Sequence, residues 1–127
     1  MKSEKGQAVV EFALVFMLLA LIFSGIVDFG RTFHAYLALD HAGRESARVA
    51  SLGSTDLNIK EVAKNAARQL TIKDTDITII PIKANRTSGV YATVTLTYNI
   101  TFITPLIGKL FDDNQLTLES KTVMRVE

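Results

Sequence analysis

The chain has 127 residues, 48% of them hydrophobic, with a formal net charge of +1 and no cysteine. That excludes disulfides, thiol catalysis and thiolate metal sites, and it leaves no basic stripe on which nucleic-acid binding would rest. Lys2, Glu4 and Lys5 carry the excess charge, so the remainder from Gln7 onward is neutral, and the apolar excess lies in the first quarter.

Residues 1–6, Met-Lys-Ser-Glu-Lys-Gly, form a short polar leader. Gly6 is either a loop glycine ahead of a helix or a processing point, because glycine lets a backbone fit closely into a protease cleft. From Ala8 to Val27 run twenty residues with a single charge, Glu11. At about 1.5 Å per residue such a helix is about 30 Å long, the thickness of a bilayer's hydrocarbon core. An acid costs about 2.5–3.5 kcal/mol at the centre of an inserted helix and less towards the interface. Glu11 therefore either sits at the headgroup boundary, favoured by the helix N-terminus, or has a partner. Lys2 and Lys5 precede the span and the first charge after it is Asp28. The positive-inside rule then keeps the N-terminus cytoplasmic and sends the rest across. Phe23-Ser24-Gly25 is a poor signal-peptidase site, with a bulky residue where a small one is needed.

The helix is expected to continue past the membrane to about Leu52. Ala35, Ala38, Leu39, Ala42, Ser46, Val49 and Ala50 recur at three- and four-residue spacing, a stripe of mostly small side chains that admits either the chain's own sheet or a neighbouring helix. Arg31, Arg44, Glu45 and Arg48 mark the opposite face, and Gly30 and Gly43 mark bends or close contacts. Gly53-Ser54-Thr55-Asp56 ends the helix. A second helix is expected from Asn58, with Glu61 completing a capping box and Ile59, Val62, Ala63, Ala66, Ala67 and Leu70 facing inward.

From Ile77 the period becomes two. Ile77–Ile82 reads as a short strand that Pro81 confines to a sheet edge or bulge. Residues 90–102 alternate apolar side chains with threonines, and 116–126 repeat the alternation. Residues 85–89, Asn-Arg-Thr-Ser-Gly, form a turn. Pro105, Leu106, Ile107, Leu110 and Phe111 make a connection too apolar for a free loop. It either packs as a short helix under the sheet edge or presents a surface to a partner or the membrane. The fold class is α+β: a long N-terminal hydrophobic helix with a transmembrane and an extracytoplasmic half, a second short helix, and a three-stranded antiparallel sheet with room for a fourth strand.

No catalytic constellation, phosphate loop or nucleophile elbow is present, so neither enzyme activity nor a cofactor is expected. His34 and His41 lie seven apart, and His41 with Glu45 has the i, i+4 spacing of a metal pair. Two possible ligands without a third rarely make a site, and Asp112-Asp113-Asn114 is most simply a turn.

Gly6 followed five residues later by Glu11 and a long apolar helix resembles the class III leader of type IV pilin-like proteins. The fuller string Gly6-Gln7-Ala8-Val9-Val10-Glu11-Phe12-Ala13-Leu14-Val15 is more specific. With Gly25-Ile26-Val27-Asp28-Phe29-Gly30-Arg31 and the apolar C-terminal segments 102–106 and 116–127, it resembles the TadE-like pseudopilins of tight-adherence pilus systems. The family often carries a proline early in the helix, where this chain continues Phe16-Met17-Leu18. The resemblance implies a leader (1–6), a pilin-like helix (7–53, membrane segment about 8–27) and an extracytoplasmic α+β domain (54–127). It implies cleavage between Gly6 and Gln7 by a prepilin peptidase, and an assembly or register role for Glu11 with Phe12 beside it. It further implies, as partners, the major pilin, other pseudopilins and an inner-membrane platform driven by a cytoplasmic ATPase, besides membrane lipid itself. The second reading is an uncleaved, signal-anchored extracytoplasmic binding module.

Overall fold

The computed structural model describes residues 2–127; Met1, the first residue of the expected leader, lies outside them. Helix α1 runs without interruption over Lys2–Ser51. No proline falls within it, and its residues are mostly good helix formers. From Ala8 to Val27 every residue except Ser24 and Gly25 is exposed. The helix is long and apolar enough to cross a membrane once.

Beyond that stretch α1 becomes the floor of a small domain. Ala35, Ala38, Leu39, Ala42 and Ser46 are buried, joined by Ala47 and Ala50, and Val49 is half-buried. They pack against α2 (Asp56–Ala66) and the inner face of the sheet. Short side chains are what allow a helix backbone to approach this closely. Gly43 shows the limit: a Cβ there would stand 2.5 Å from Ser120 Oγ and 3.1 Å from Thr122 Oγ1. At Gly30 a Cβ would meet nothing within 4 Å. The two glycines should therefore respond with opposite signs. Gly30→Ala should raise domain stability by about 1 kcal/mol through helix propensity, whereas Gly43→Leu should lower it by about 1–3 kcal/mol through overpacking. Thermal unfolding of the detergent-solubilised chain, followed by circular dichroism, measures both.

α2 starts two residues before the expected Asn58. Thr55 is its N-cap, with Oγ1 accepting from the Asn58 N–H at 3.3 Å, and this leaves Asp56 in the first turn, where an acid favours the helix. Ile59, Ala63 and Ala67 are buried, while Val62, Ala66 and Leu70 are half-buried. Lys64 pairs with Asp74 across the turn that follows.

The three strands form one antiparallel sheet in the order β1 (Ile77–Ile80), β2 (Tyr91–Thr101), β3 (Gln115–Arg125), with no fourth strand among the described residues. β1 is an edge strand and stops at Ile80, immediately before Pro81, which has no N–H for a ladder. The registers Ile79↔Val94 and Val94↔Thr122 align the inner rows. Ile77, Ile79, Ala92, Val94, Leu96, Ile100 and Leu118 then meet Leu39, Ala42, Ile59 and Ala63 in one core. The threonine-rich face of β2 points away from the helices.

The connection between β1 and β2 contains a side chain that the turn reading of residues 85–89 did not anticipate. Arg86 is buried, donating from Nη1 to Pro81 O at 3.1 Å and from Nη2 to Ser54 O at 2.6 Å. Its Nη1 also lies 2.8 Å from Asp56 Oδ1, an ion pair without hydrogen-bond angles. Arg86 thus ties the α1–α2 turn to the far end of the sheet.

Candidate functional site

Two places on α1 carry charge where apolar surroundings make charge expensive. The first is the N-terminal segment. Gly6, Gln7, Glu11 and Phe12 all lie within the helix and are all exposed, and a Cβ at Gly6 would meet nothing within 4 Å. Gly6 is therefore helical and not in a loop, and it falls in the opening turns, whose terminal N–H groups have no partners and fray most readily. The rings of Phe12 and Phe16 stack at 6.1 Å one turn apart. Among the described residues no cation of the same chain forms an ion pair with Glu11.

The second is the point where the apolar stretch meets the domain. Asp28 is 1% exposed, and its carboxylate is held by backbone from a distant loop. The Ile103 N–H reaches Oδ1 at 3.0 Å and Oδ2 at 3.1 Å, and the Thr104 N–H reaches Oδ2 at 2.7 Å. Arg31 Nη1 stands 3.3 Å from Oδ1 and also donates to Thr101 O at 3.2 Å. Arg31 therefore turns towards the domain, not onto the outer face with Arg44 and Arg48 as the spacing predicts. The physical reason is the acid one turn before it on the same side.

Burial by itself would push the Asp28 carboxyl up. The Ile103 and Thr104 N–H groups outweigh burial, with help from the neighbouring Thr104 hydroxyl and the Arg31 cation, and they hold it below the ordinary 3.8. The Thr104 hydroxyl lies outside good hydrogen-bond geometry with any partner, so the two amides carry most of the effect. Asp28 is thus an ionised, fully enclosed carboxylate that pins the β2–β3 connection to the helix.

That connection holds the remaining expected residues. Pro105–Gly108 form one helical turn, α3. Ile107 packs inward, while Leu106 is 56% and Leu110 80% exposed, so the segment is both packed and presented. Gly108 has no room for a side chain, because a Cβ would fall 1.4 Å from Asn114 Oδ1. Asn114 closes the loop by donating from Nδ2 to Phe102 O at 3.0 Å, and Phe102 stacks on Phe111 at 5.1 Å. An apolar recess of about 310 Å³ remains between α1 and this loop, lined by Gly25, Phe29, Thr32, Phe102, Ile107 and Phe111. His34 and His41 are exposed on α1, and no metal-binding cluster occurs among the described residues.

No curated protein and no solved structure matches the chain. The family model described as TadE-like protein matches residues 6–48, from Gly6 through Glu11, Asp28 and Arg31 to Arg48. Over that stretch, most of α1, the chain is similar to TadE-like proteins.

Proposed function

We propose that the chain is a pseudopilin or minor pilin, inserted with its N-terminus in the cytoplasm and cut by a prepilin peptidase, that acts in assembling or priming a tight-adherence pilus. The observation that carries this reading is Glu11: an exposed carboxylate with no ion-pair partner among the described residues, five residues beyond Gly6, in a helix of membrane length within the family match. Hydrolysis of the Gly6–Gln7 bond adds one water, leaving a carboxylate on Gly6 and an ammonium on Gln7. That cation lies at the head of an apolar helix, where it is as costly alone as Glu11 is. Pairing the Glu11 carboxylate of one subunit with the amine of the next makes both tolerable, and the pair sets the axial stagger between helices. The role is structural and needs no cofactor. The partners that follow are the peptidase, the major pilin and other pseudopilins, and the membrane platform with its ATPase.

Cleavage needs the first helical turns to open so that the Gly6 carbonyl becomes accessible, and glycine lowers the cost of opening by about 1 kcal/mol relative to alanine. N-terminal sequencing of membrane-extracted protein should read Gln7 first. Gly6→Leu should keep the leader and show its mass intact. A wild-type chain that begins at Met1, or a Gly6→Leu chain trimmed like wild type, contradicts processing and favours the uncleaved anchor.

A further inference from the structure

The β2–β3 connection does more than close the sheet: it runs down the outside of α1 towards the apolar stretch. Its path is fixed at three heights. Thr101 O accepts from Arg31, the Ile103 and Thr104 N–H groups donate to Asp28, and Ile107 Cδ1 lies 3.6 Å from where a Cβ on Gly25 would stand. Six residues of helix from Arg31 to Gly25 correspond to a descent of about 9 Å. Gly25 is already inside the 8–27 stretch, so the tip of the connection reaches the level of the last turn of that stretch.

What it carries there is apolar and uncovered. Ile103, Leu106 and Leu110 are exposed, as are Ile26 and Phe29 on the adjoining helix. These side chains continue the surface of the span sideways onto the domain, and Lys109 is exposed among them. Part of the backbone at this level is also satisfied within the loop. Gly108 N–H bonds to Thr104 O at 3.0 Å, Lys109 N–H to Pro105 O at 3.3 Å, Leu110 N–H to Ile107 O at 3.0 Å and Phe111 N–H to Gly108 O at 3.3 Å. Pro105 at the start of the turn has no N–H to satisfy. Four bonded N–H groups and outward leucines suit the loop to the boundary between headgroups and acyl chains, where water still reaches the remaining backbone groups.

We infer that the α3 loop is a membrane-seated foot: Leu106 and Leu110 enter the boundary between headgroups and acyl chains of the leaflet where α1 exits, and Lys109 extends to the lipid phosphates. The occupant of this patch is lipid because the patch is continuous with the span and shares its depth. Asp28 then acts as the clamp that holds the foot at that depth and sets the tilt of the domain on the bilayer. The inference rests on the reading of 8–27 as a membrane span.

The chain contains no tryptophan, so Leu110→Trp creates a single fluorescent indole at an exposed position. Leu18→Trp reports the middle of the span, and Leu57→Trp, on exposed α2 surface, reports water. Each full-length variant is reconstituted into phosphatidylethanolamine–phosphatidylglycerol vesicles, with and without lipid brominated at the headgroup end of the acyl chain. Leu110→Trp should emit to the blue of Leu57→Trp and lose intensity to the brominated lipid, while Leu57→Trp keeps its intensity. If Leu18→Trp is blue-shifted as in an acyl environment but Leu110→Trp is neither shifted nor quenched, the foot is wrong and the span stands. If Leu18→Trp also behaves as in water, the span reading itself falls. A blue shift of Leu110→Trp without quenching, growing with the number of chains per vesicle, would assign the patch to a second copy and overturn the lipid assignment.

Discussion

Asp28→Ala should cost the folded domain about 3–5 kcal/mol, the penalty for deleting one side of a buried charged arrangement. The substitution leaves the Ile103 and Thr104 N–H groups enclosed without an acceptor, each worth about 1–3 kcal/mol, and strips Arg31 of its partner. Against a typical domain stability of about 5–15 kcal/mol that is a large fraction. Hydrogen exchange at the Ile103 and Thr104 amides, slow in the wild type, should accelerate in the variant more than exchange in β2 next to β1. Asp28→Asn keeps one acceptor oxygen and should fall between the two. Because the folded carboxyl is held below its value in the unfolded chain, protonation favours unfolding. The contribution of Asp28 is therefore complete above about pH 4, the ordinary range of an aspartate, and is lost as pH falls through the lower folded value. Acid unfolding of Asp28→Asn should lack that component, so its stability should fall less steeply than that of wild type below this range.

Glu11→Gln should weaken association between processed subunits by about 150- to 5,000-fold, the equivalent of the roughly 3–5 kcal/mol lost when one member of a desolvated ion pair is removed. The fold of the domain should not change, since Glu11 is exposed and far along α1 from the core that begins at Ala35. That separation is what makes the experiment informative. Asp28 variants act through stability, Glu11 variants through assembly, and melting curves combined with fibre yield distinguish them. Wild-type fibre production by Glu11→Gln would reduce Glu11 to an interfacial carboxylate.

The elements with a repeating period were legible in the sequence. The apolar run of α1, the small-residue stripe from Ala35 to Ala50 and the alternation in β2 and β3 each report their own local environment, and each forms an element where the period places it. Boundaries set by single side chains were less legible. Thr55 and Asn58 are both good capping residues three positions apart, and only the observed hydrogen bond from Asn58 N–H to Thr55 Oγ1 decides between them. Least legible were the buried charges. Asp28 stands as the first polar residue after an apolar run and reads as a boundary marker, because the amides that enclose it come from 75 and 76 residues away. Arg86 sits in a stretch composed like an exposed turn, and its acceptor on Ser54 lies 32 residues back. Nothing in local periodicity encodes such pairs, since a loop's side-chain partners are set by where the elements on either side deliver it. The same holds for the α3 connection. Its composition signalled that it is not a free loop, but only its descent along α1 shows which leucines are left uncovered.

The central claim is that the carboxylate near the start of the helix meets an amine that proteolysis releases on an adjoining subunit, and zero-length carbodiimide coupling in intact membranes tests it most directly. The expected product is an amide joining the Glu11 side chain to the N-terminal nitrogen of a pilin-type neighbour, found by mass spectrometry in wild type and missing from Glu11→Gln. Recovery of Glu11 uncoupled, in chains whose first residue is still Met1, would contradict it.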